Sequence, residues 1–67
     1  MKWTLKTLRV ANNLSQKEAA EKLGVVATTL SKWERAKSFP DAIEIKKIEK
    51  LYDVDYNDII FLPKQHG

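Results

Sequence analysis

The chain has 67 residues, no cysteine and a formal net charge of +3, which limits it to one small domain without disulfides or thiolate metal sites. Hydrophobic residues make up 43% of the chain and charged residues 31%, values typical of a globular domain and not of a disordered segment. No apolar run approaches the roughly 20 residues that a membrane span needs, and no signal-peptide pattern opens the chain, so we expect a cytoplasmic protein.

The charge is distributed unevenly along the chain. Residues 1–37 contain eight Lys or Arg and three Glu, whereas residues 38–67 contain four Lys and six Asp or Glu. A basic first half suggests a polyanionic partner on that side of the molecule. From the charge alone, a merely solvated surface is an equally good interpretation.

Helix formers dominate the chain, and no segment alternates apolar and polar residues for long enough to predict a strand. Leu5, Leu8 and Ala11 recur at helical spacing and predict a first helix from about Thr4 to Asn12. Asn13 follows this helix, and asparagine tolerates the left-handed backbone of a helix end better than most residues.

A capping box, Ser15-Gln-Lys-Glu18, predicts where a second helix begins. This helix carries Ala19, Ala20 and Leu23 inward and ends at Gly24. A third helix is predicted from about residue 27 to residue 35, and the Phe-Pro pair at 39–40 separates it from the next element.

A second capping box, Asp41-Ala-Ile-Glu44, predicts the start of a fourth helix. Its inner stripe consists of Ile45, Ile48, Leu51 and Tyr52. Asp55 and Asp58 repeat the capping signal more weakly. They predict a short fifth helix from residue 56 to about residue 61, which the proline at 63 ends.

The second and third helices have the spacing of a helix-turn-helix. Ala20 supplies the small side chain that two steeply crossing helices need at their contact, and Gly24 supplies a positive φ in the turn. Val25, Leu30 and Trp33 then pack the third helix against the rest of the domain. In this motif the first helix crosses the DNA backbone and the second lies in the major groove.

Three motifs and two single residues carry a family resemblance: Leu14-Ser15-Gln16, Leu23-Gly24-Val25, Leu30-Ser31-Lys32-Trp33-Glu34-Arg35, Lys37 and Pro40. They resemble the Cro/phage-repressor (XRE-type) helix-turn-helix family over roughly residues 4–62. The resemblance implies an all-α, compact five-helix lambda-repressor-like domain at residues 1–62, with the helix-turn-helix at about 16–35 and a short tail at 63–67. It also implies a DNA-binding transcriptional regulator, commonly dimeric and most often a repressor of phage or mobile-element type.

The resemblance also implies which residues contact DNA. Those that would read bases are Ala27, Thr28, Ser31 and Lys32, and those that would contact phosphates are Gln16, Thr29, Arg35, Lys37 and Ser38. Beyond the resemblance, the methyl groups of Val26 suit a base contact, and Lys17 beside Gln16 could reach the DNA backbone. Gln16 would in addition buttress the third helix, the alternative being an exposed residue in a helical first turn. For Lys17, a solvated lysine without a DNA contact is an equal alternative.

Six residues are expected to be structural: Arg9, Ala20, Gly24, Leu30, Trp33 and Glu34. Arg9 and Glu34 resemble a family pair that forms a buried ion bridge between the first and third helices. Trp33 is expected in the core in preference to stacking on a base.

Two positions depart from the family pattern. Val26 stands where the family usually has a Ser or Thr helix cap. Either this valine is tolerated because Leu30 and Trp33 anchor the helix, or Thr28 or Thr29 caps a slightly later start. Ala36 replaces the more usual glycine after the third helix, which predicts mild strain in a left-handed residue.

The methyl-rich start of the third helix suits contacts with thymine C5-methyl groups, and Lys32 suits a guanine or a phosphate. We therefore expect a pseudo-palindromic operator in double-stranded DNA, bound by a homodimer. Ile60, Phe61 and Leu62 form an apolar patch that predicts the dimer interface, with core packing as an equal alternative.

The main alternative function is an antitoxin or accessory protein-interaction module with the same fold, docking through the acidic second half. An enzyme is rejected, because the sequence contains no nucleophile–base pair, metal cluster or phosphate-cradling glycine loop. His66 is interpreted as a solvated tail residue. We expect no cofactor, no small-molecule ligand and no membrane contact, and a place on the nucleoid of a bacterial cell or phage-infected host.

Overall fold

The structure is a computed structural model that describes residues 2–61. The elements follow in the order β1 (Trp3–Thr4), α1 (Leu5–Ala11), α2 (Gln16–Leu23), α3 (Ala27–Glu34), α4 (Ala42–Tyr52), a 3-10 turn (Tyr56–Asp58) and β2 (Ile59–Ile60). The four predicted α-helices are confirmed, each within about one residue of its predicted ends. None of the helices between residues 2 and 61 has both the length and the apolar character that crossing a bilayer requires.

Local hydrogen bonds define where α1 and α2 begin and end. The Thr4 hydroxyl accepts from the Thr7 amide at the start of α1 (3.1 Å), and Asn13 takes the left-handed conformation after its end, with φ of 58°. At the start of α2, the Glu18 amide donates to the Ser15 hydroxyl (3.0 Å) and the Ser15 amide donates to the Glu18 carboxylate (2.9 Å). The backbone and side-chain hydrogen bonds from Ser15 lower the pKa of Glu18. The predicted capping box is confirmed.

The second capping box opens α4 in the same way. The Glu44 amide donates to Asp41 and the Asp41 amide donates to Glu44, both at 2.8 Å. The helix ends at Asp53, whose φ of 54° lies in the left-handed region. Ile48 and Tyr52 bring the inner face of α4 into the core, and burial raises the pKa of the Tyr52 phenol.

The predicted fifth helix is wrong. Helical structure after α4 is limited to the 3-10 turn, and Ile59 is already extended, with φ of −102° and ψ of 130°. Ile59–Ile60 pairs in parallel with Trp3–Thr4, with Trp3 opposite Ile59 and Thr4 opposite Ile60. Two consecutive β-branched residues favour a strand when a partner strand is available, and the pairing buries Ile59 in the core. Residues 2–61 form four α-helices and a two-stranded sheet in place of five helices.

The capping signal before the 3-10 turn is nevertheless real. The Asn57 amide donates to the Asp55 carboxylate (3.0 Å) and the Asp55 amide donates to Asp58 (3.4 Å). Glu49, which is not part of the predicted inner stripe of α4, accepts from the Tyr56 amide at 2.7 Å. This bond attaches the turn to α4 directly before β2, the strand that pairs with β1.

One apolar core joins all these elements. Its buried members are Leu5, Leu8, Ala19, Ala20, Leu23, Leu30, Trp33, Ile48, Tyr52 and Ile59. Ala20 is 1% exposed, which fits the small side chain expected where α2 and α3 meet. Trp33 is 3% exposed, so its indole belongs to the core and is not free to stack on a base.

An ion pair connects α1 to α3. Arg9 Nε lies 2.7 Å from Glu34 Oε2, and Arg9 Nη2 donates to Glu34 Oε1 at 3.2 Å. The two side chains are 12% and 4% exposed. The hydrogen bond to Glu34 raises the pKa of the Arg9 guanidinium, which therefore stays charged. Arg9 Nη1 also donates to the carbonyl of Leu14 (2.9 Å), which fixes the chain just before α2.

We predict that Glu34→Ala lowers the free energy of unfolding by about 3–5 kcal/mol, because it leaves the Arg9 charge buried and without its partner. The double variant Arg9→Met/Glu34→Leu removes both charges and is expected to recover most of this loss. Urea denaturation followed by circular dichroism measures both. Glu21→Ala, at an exposed position of α2, is the control and should change stability by less than about 0.5 kcal/mol. A double variant that is no more stable than Glu34→Ala would contradict the prediction.

A second prediction concerns Ala36, whose φ of 61° places a non-glycine residue in the left-handed region directly after α3. Ala36→Gly should raise the free energy of unfolding by about 0.5–1 kcal/mol, because it relieves the steric cost of that backbone. Ala42→Gly, at an exposed helical position of α4, is the matched control and should lower stability by a similar amount. The same denaturation measurement decides, and a destabilised Ala36→Gly variant would show that no strain is stored there.

Candidate nucleic-acid interface

The turn between α2 and α3 is closed by two backbone hydrogen bonds. The Val25 amide donates to the carbonyl of Ala20 (3.0 Å) and the Gly24 amide donates to that of Glu21 (3.2 Å). This is the Schellman arrangement, and it requires a left-handed residue, which Gly24 supplies with φ of 77°. A Cβ at Gly24 would have room, with its nearest contact 3.5 Å away at Lys47 Nζ. The backbone conformation, not crowding, therefore calls for glycine here.

The third helix begins without a side-chain cap. Val26 occupies the cap position with extended backbone, and its carbonyl accepts from the amides of Thr29 (3.0 Å) and Leu30 (3.2 Å). Because α3 starts at Ala27, the structure favours the first of the two interpretations: the valine is tolerated, and neither Thr28 nor Thr29 caps a later start. The Val26 side chain is 67% exposed.

The two sides of α3 differ sharply in exposure. Leu30, Trp33 and Glu34 are buried and attach the helix to the core and to α1. The predicted DNA-contacting residues lie on the rest of its surface: Thr28, Lys32 and Arg35 are exposed, and Ala27, Thr29 and Ser31 are half-buried. The helix therefore presents a continuous face of short methyl-bearing and polar side chains, ending in two basic ones.

The chain after α3 returns toward the end of that helix. The amides of Lys37 and Ser38 both donate to the carbonyl of Lys32, at 2.8 and 3.4 Å. Lys37 is exposed and Ser38 half-buried, so the loop holds both predicted phosphate contacts beside the last turn of α3. Arg35 Nε donates to the carbonyl (3.3 Å) and the hydroxyl (3.2 Å) of Ser31, so these two predicted DNA contacts are bonded to each other in the free protein.

Gln16 is part of the buried ion-pair network. Its side-chain amide donates to Glu34 Oε1 at 3.0 Å, which links the first residue of α2 to the last residue of α3. The side chain is half-buried, unlike that of Lys17 beside it, which is exposed. Gln16 is therefore held in place and is not a freely moving surface residue. One amide hydrogen remains available for an acceptor outside the protein.

The structure also brings together lysines that the motif did not single out. Lys22, Lys47 and Lys50 line a shallow groove beside Gly24, at the opposite end of α2 from Gln16. No sequence pattern within one helix predicts this cluster, because its members come from α2 and α4. Within residues 2–61, no group of three His, Cys, Asp or Glu side chains is placed to hold a metal ion.

The two described residues of the predicted dimer patch differ in exposure. Ile60 is 36% exposed, whereas Phe61 is half-buried and packs against the core. The Phe61 ring lies 5.7 Å from that of Tyr56, and together with Phe39 these rings border an apolar groove. Leu62, like the tail at 63–67 with His66, lies outside the described residues.

Comparison with known proteins agrees with this geometry. The family described as "Helix-turn-helix" matches residues 5–59, which include all four α-helices. The HTH-type transcriptional activator BcrR of Enterococcus faecalis is 38% identical over 56 residues, covering 84% of this chain and 28% of the relative's length. The chain thus spans less than a third of that relative. No solved structure matches the chain at a significant level. With the family match extending over most of its length, the chain belongs to the helix-turn-helix family of XRE type, as its motifs predict.

Proposed function

We propose that the protein binds double-stranded DNA sequence-specifically and regulates transcription, with α3 as the helix that enters the major groove. The observation that carries the proposal is the asymmetry of α3, whose buried side fixes it to the core while Thr28 and Lys32 face solvent. In a helix-turn-helix, the N-terminal residues of the second helix contact base edges. Family membership supports a binding role in preference to an enzymatic one.

The proposed contacts fall into two groups. Base edges would be read by Val26, Ala27, Thr28, Ser31 and Lys32, and phosphates would be bound by Gln16, Lys17, Thr29, Arg35, Lys37 and Ser38. The methyl groups at the start of α3 suit thymine, whereas Lys32 can donate to guanine O6 and N7 or to a phosphate. Arg35 is bonded to Ser31 through Nε, so the terminal nitrogens of its guanidinium can donate to a phosphate while the Ser31 hydroxyl, which accepts from Nε, can still donate to a base.

Gln16 is the phosphate contact that the geometry supports best. Its bond to Glu34 holds the side chain at the N-terminus of α2, where backbone amides also favour an anion. A side chain already fixed in place loses little conformational entropy on binding. The same bond connects the phosphate contact to α3, so it also sets the position of α3 relative to the DNA backbone.

The direction of regulation has two candidates. Repression of a phage or mobile-element promoter follows from the sequence motifs. Activation is favoured by the name of BcrR, a transcriptional activator, although the similarity covers 28% of that protein. Either sign fits a protein acting on DNA in the bacterial cytoplasm.

We further propose that two copies bind a pseudo-palindromic operator, with half-sites about one helical turn apart. Ile60 and Phe61 would contribute to the dimer interface, and Phe61 also lines the apolar groove that the exposed rings of Phe39 and Tyr56 border. Apolar patches of this kind commonly mark protein–protein contacts.

Selection of binding sites from random DNA tests the main proposal. We expect an enriched pseudo-palindrome with thymines in each half-site, and an affinity that falls steeply with salt because Lys and Arg neutralise phosphates.

Lys32→Gln should weaken binding. If Lys32 contacts a phosphate, its loss should reduce the dependence of log affinity on log salt concentration by about 1. If Lys32 contacts a guanine, its loss should cost about 1–3 kcal/mol of binding free energy and relax the preference at that base pair. Lys46→Gln, an equal change of charge at an exposed position of α4 outside the lysine groove, is the control. No enriched sequence together with a co-purifying protein would favour the protein-interaction module instead.

Sedimentation equilibrium tests the proposed dimer surface. Ile60→Ser removes an apolar side chain from the surface and should shift the protein toward monomer at a given concentration. Val10→Ser, at a 55% exposed position of α1 outside the proposed dimer interface, is the matched control. Circular dichroism must show that both variants remain folded. Unchanged self-association of folded Ile60→Ser would remove this surface from the proposal.

A further inference from the structure

The cap position of α3 combines ideal backbone geometry with an unsuitable side chain. Val26 has φ of −85° and ψ of 156°, close to Thr4, Ser15 and Asp41 at the other three helix starts of the described chain. Those three residues each accept a hydrogen bond from a backbone amide, and Val26 accepts none with its side chain. A serine or threonine would therefore cap α3 without any change of backbone.

The valine also gains nothing from the core. Its side chain is 67% exposed, the second most exposed of the large hydrophobic residues after Ile43. The partly buried Val25 and Ala27 on either side of it pack against the core instead. An isopropyl group in water at this position adds no packing stability to the free protein, and at the cap position of the proposed reading helix it is available for contact with DNA.

We propose that Val26 is a specificity-determining residue that contacts the C5-methyl group of a pyrimidine and accepts thymine and 5-methylcytosine alike, so that binding responds to cytosine methylation of the operator. The inference rests on the proposed function, since it places the start of α3 against base edges in the major groove. The chemical group read there is the C5-methyl group, and cytosine methylation is the modification that would regulate binding.

The chemistry of the side chain explains why the two bases are equivalent. Thymine presents O4 and a C5-methyl group in the major groove, and cytosine presents an N4 amino group without the methyl. Methylation of cytosine adds the methyl group at the same ring carbon. An isopropyl group has no donor or acceptor, so it senses the methyl group and not the O4 or N4 beside it. The exposed Thr28, one residue into α3, adds another methyl group to the same surface.

The test uses the operator obtained by selection and changes one methyl group at a time. Each thymine is replaced by deoxyuridine, which removes only the C5-methyl group, and affinity is measured by fluorescence anisotropy. We expect one position per half-site where the loss is about fourfold, the value of burying one methyl group. At that position, a 5-methylcytosine–guanine pair should bind about fourfold more tightly than a cytosine–guanine pair.

Three variants separate the methyl contact from the missing cap. Val26→Ala lacks both the γ-methyl groups and the cap, Val26→Ser gains the cap without a γ-methyl group, and Val26→Thr gains the cap and keeps one. The two capping variants should raise Tm by about 4–8 °C, so loss of folding cannot explain their DNA binding. The methyl response should vanish in Val26→Ala and Val26→Ser and persist in Val26→Thr.

The outcomes distinguish this inference from the function on which it rests. If no sequence is selected, the proposed function fails and this inference fails with it. If a sequence is selected but no deoxyuridine replacement changes its affinity, only the inference is overturned. It is also overturned if Val26→Ala retains the full methyl response, or if the response follows Tm and not the number of methyl groups.

Discussion

The position of α3 depends on one buried carboxylate. Glu34 accepts hydrogen bonds from Arg9 on α1 and from Gln16 on α2, and the same guanidinium reaches the Leu14 carbonyl before α2. The positions of three helices are thereby fixed relative to the same two carboxylate oxygens. Apolar packing alone tolerates small sliding of helices, whereas short charge-assisted hydrogen bonds fix distance and direction. The pair is therefore best understood as setting geometry, and its net contribution to stability is secondary.

This arrangement also accounts for the composition of the α2–α3 unit. With Glu34 and Trp33 holding the end of α3 and the Gly24 turn holding its beginning, the helix does not depend on a cap at Val26. That leaves the first turn of α3 free to carry side chains chosen for contact with a ligand. The strain at Ala36 falls at the other end of the same helix, where the loop with Lys37 folds back. Both departures from ideal helix ends thus flank the proposed reading surface.

Features that depend on neighbours in the sequence could be predicted, and those that depend on distant partners could not. The capping boxes at Ser15 and Asp41 and the positive φ of Gly24 are local, so the sequence alone predicts them. The ion pair of Arg9 with Glu34 spans 25 residues and was accessible only through the family resemblance. The resemblance also predicts that Gln16 buttresses the third helix, but its bond to Glu34 required the structure, as did the bond from the Tyr56 amide to Glu49, because a helical pattern does not reveal what a polar side chain meets.

The parallel pairing of Trp3 with Ile59 has a consequence for the order of folding. The other main contacts join helices that are near each other in sequence, whereas this one closes a loop of nearly the whole described chain. Closing a longer loop costs more conformational entropy, and the cost falls when intervening helices have already shortened the path. We therefore expect the two strands to pair after the helices have packed, so that Ile59 joins a core that the helices have already formed.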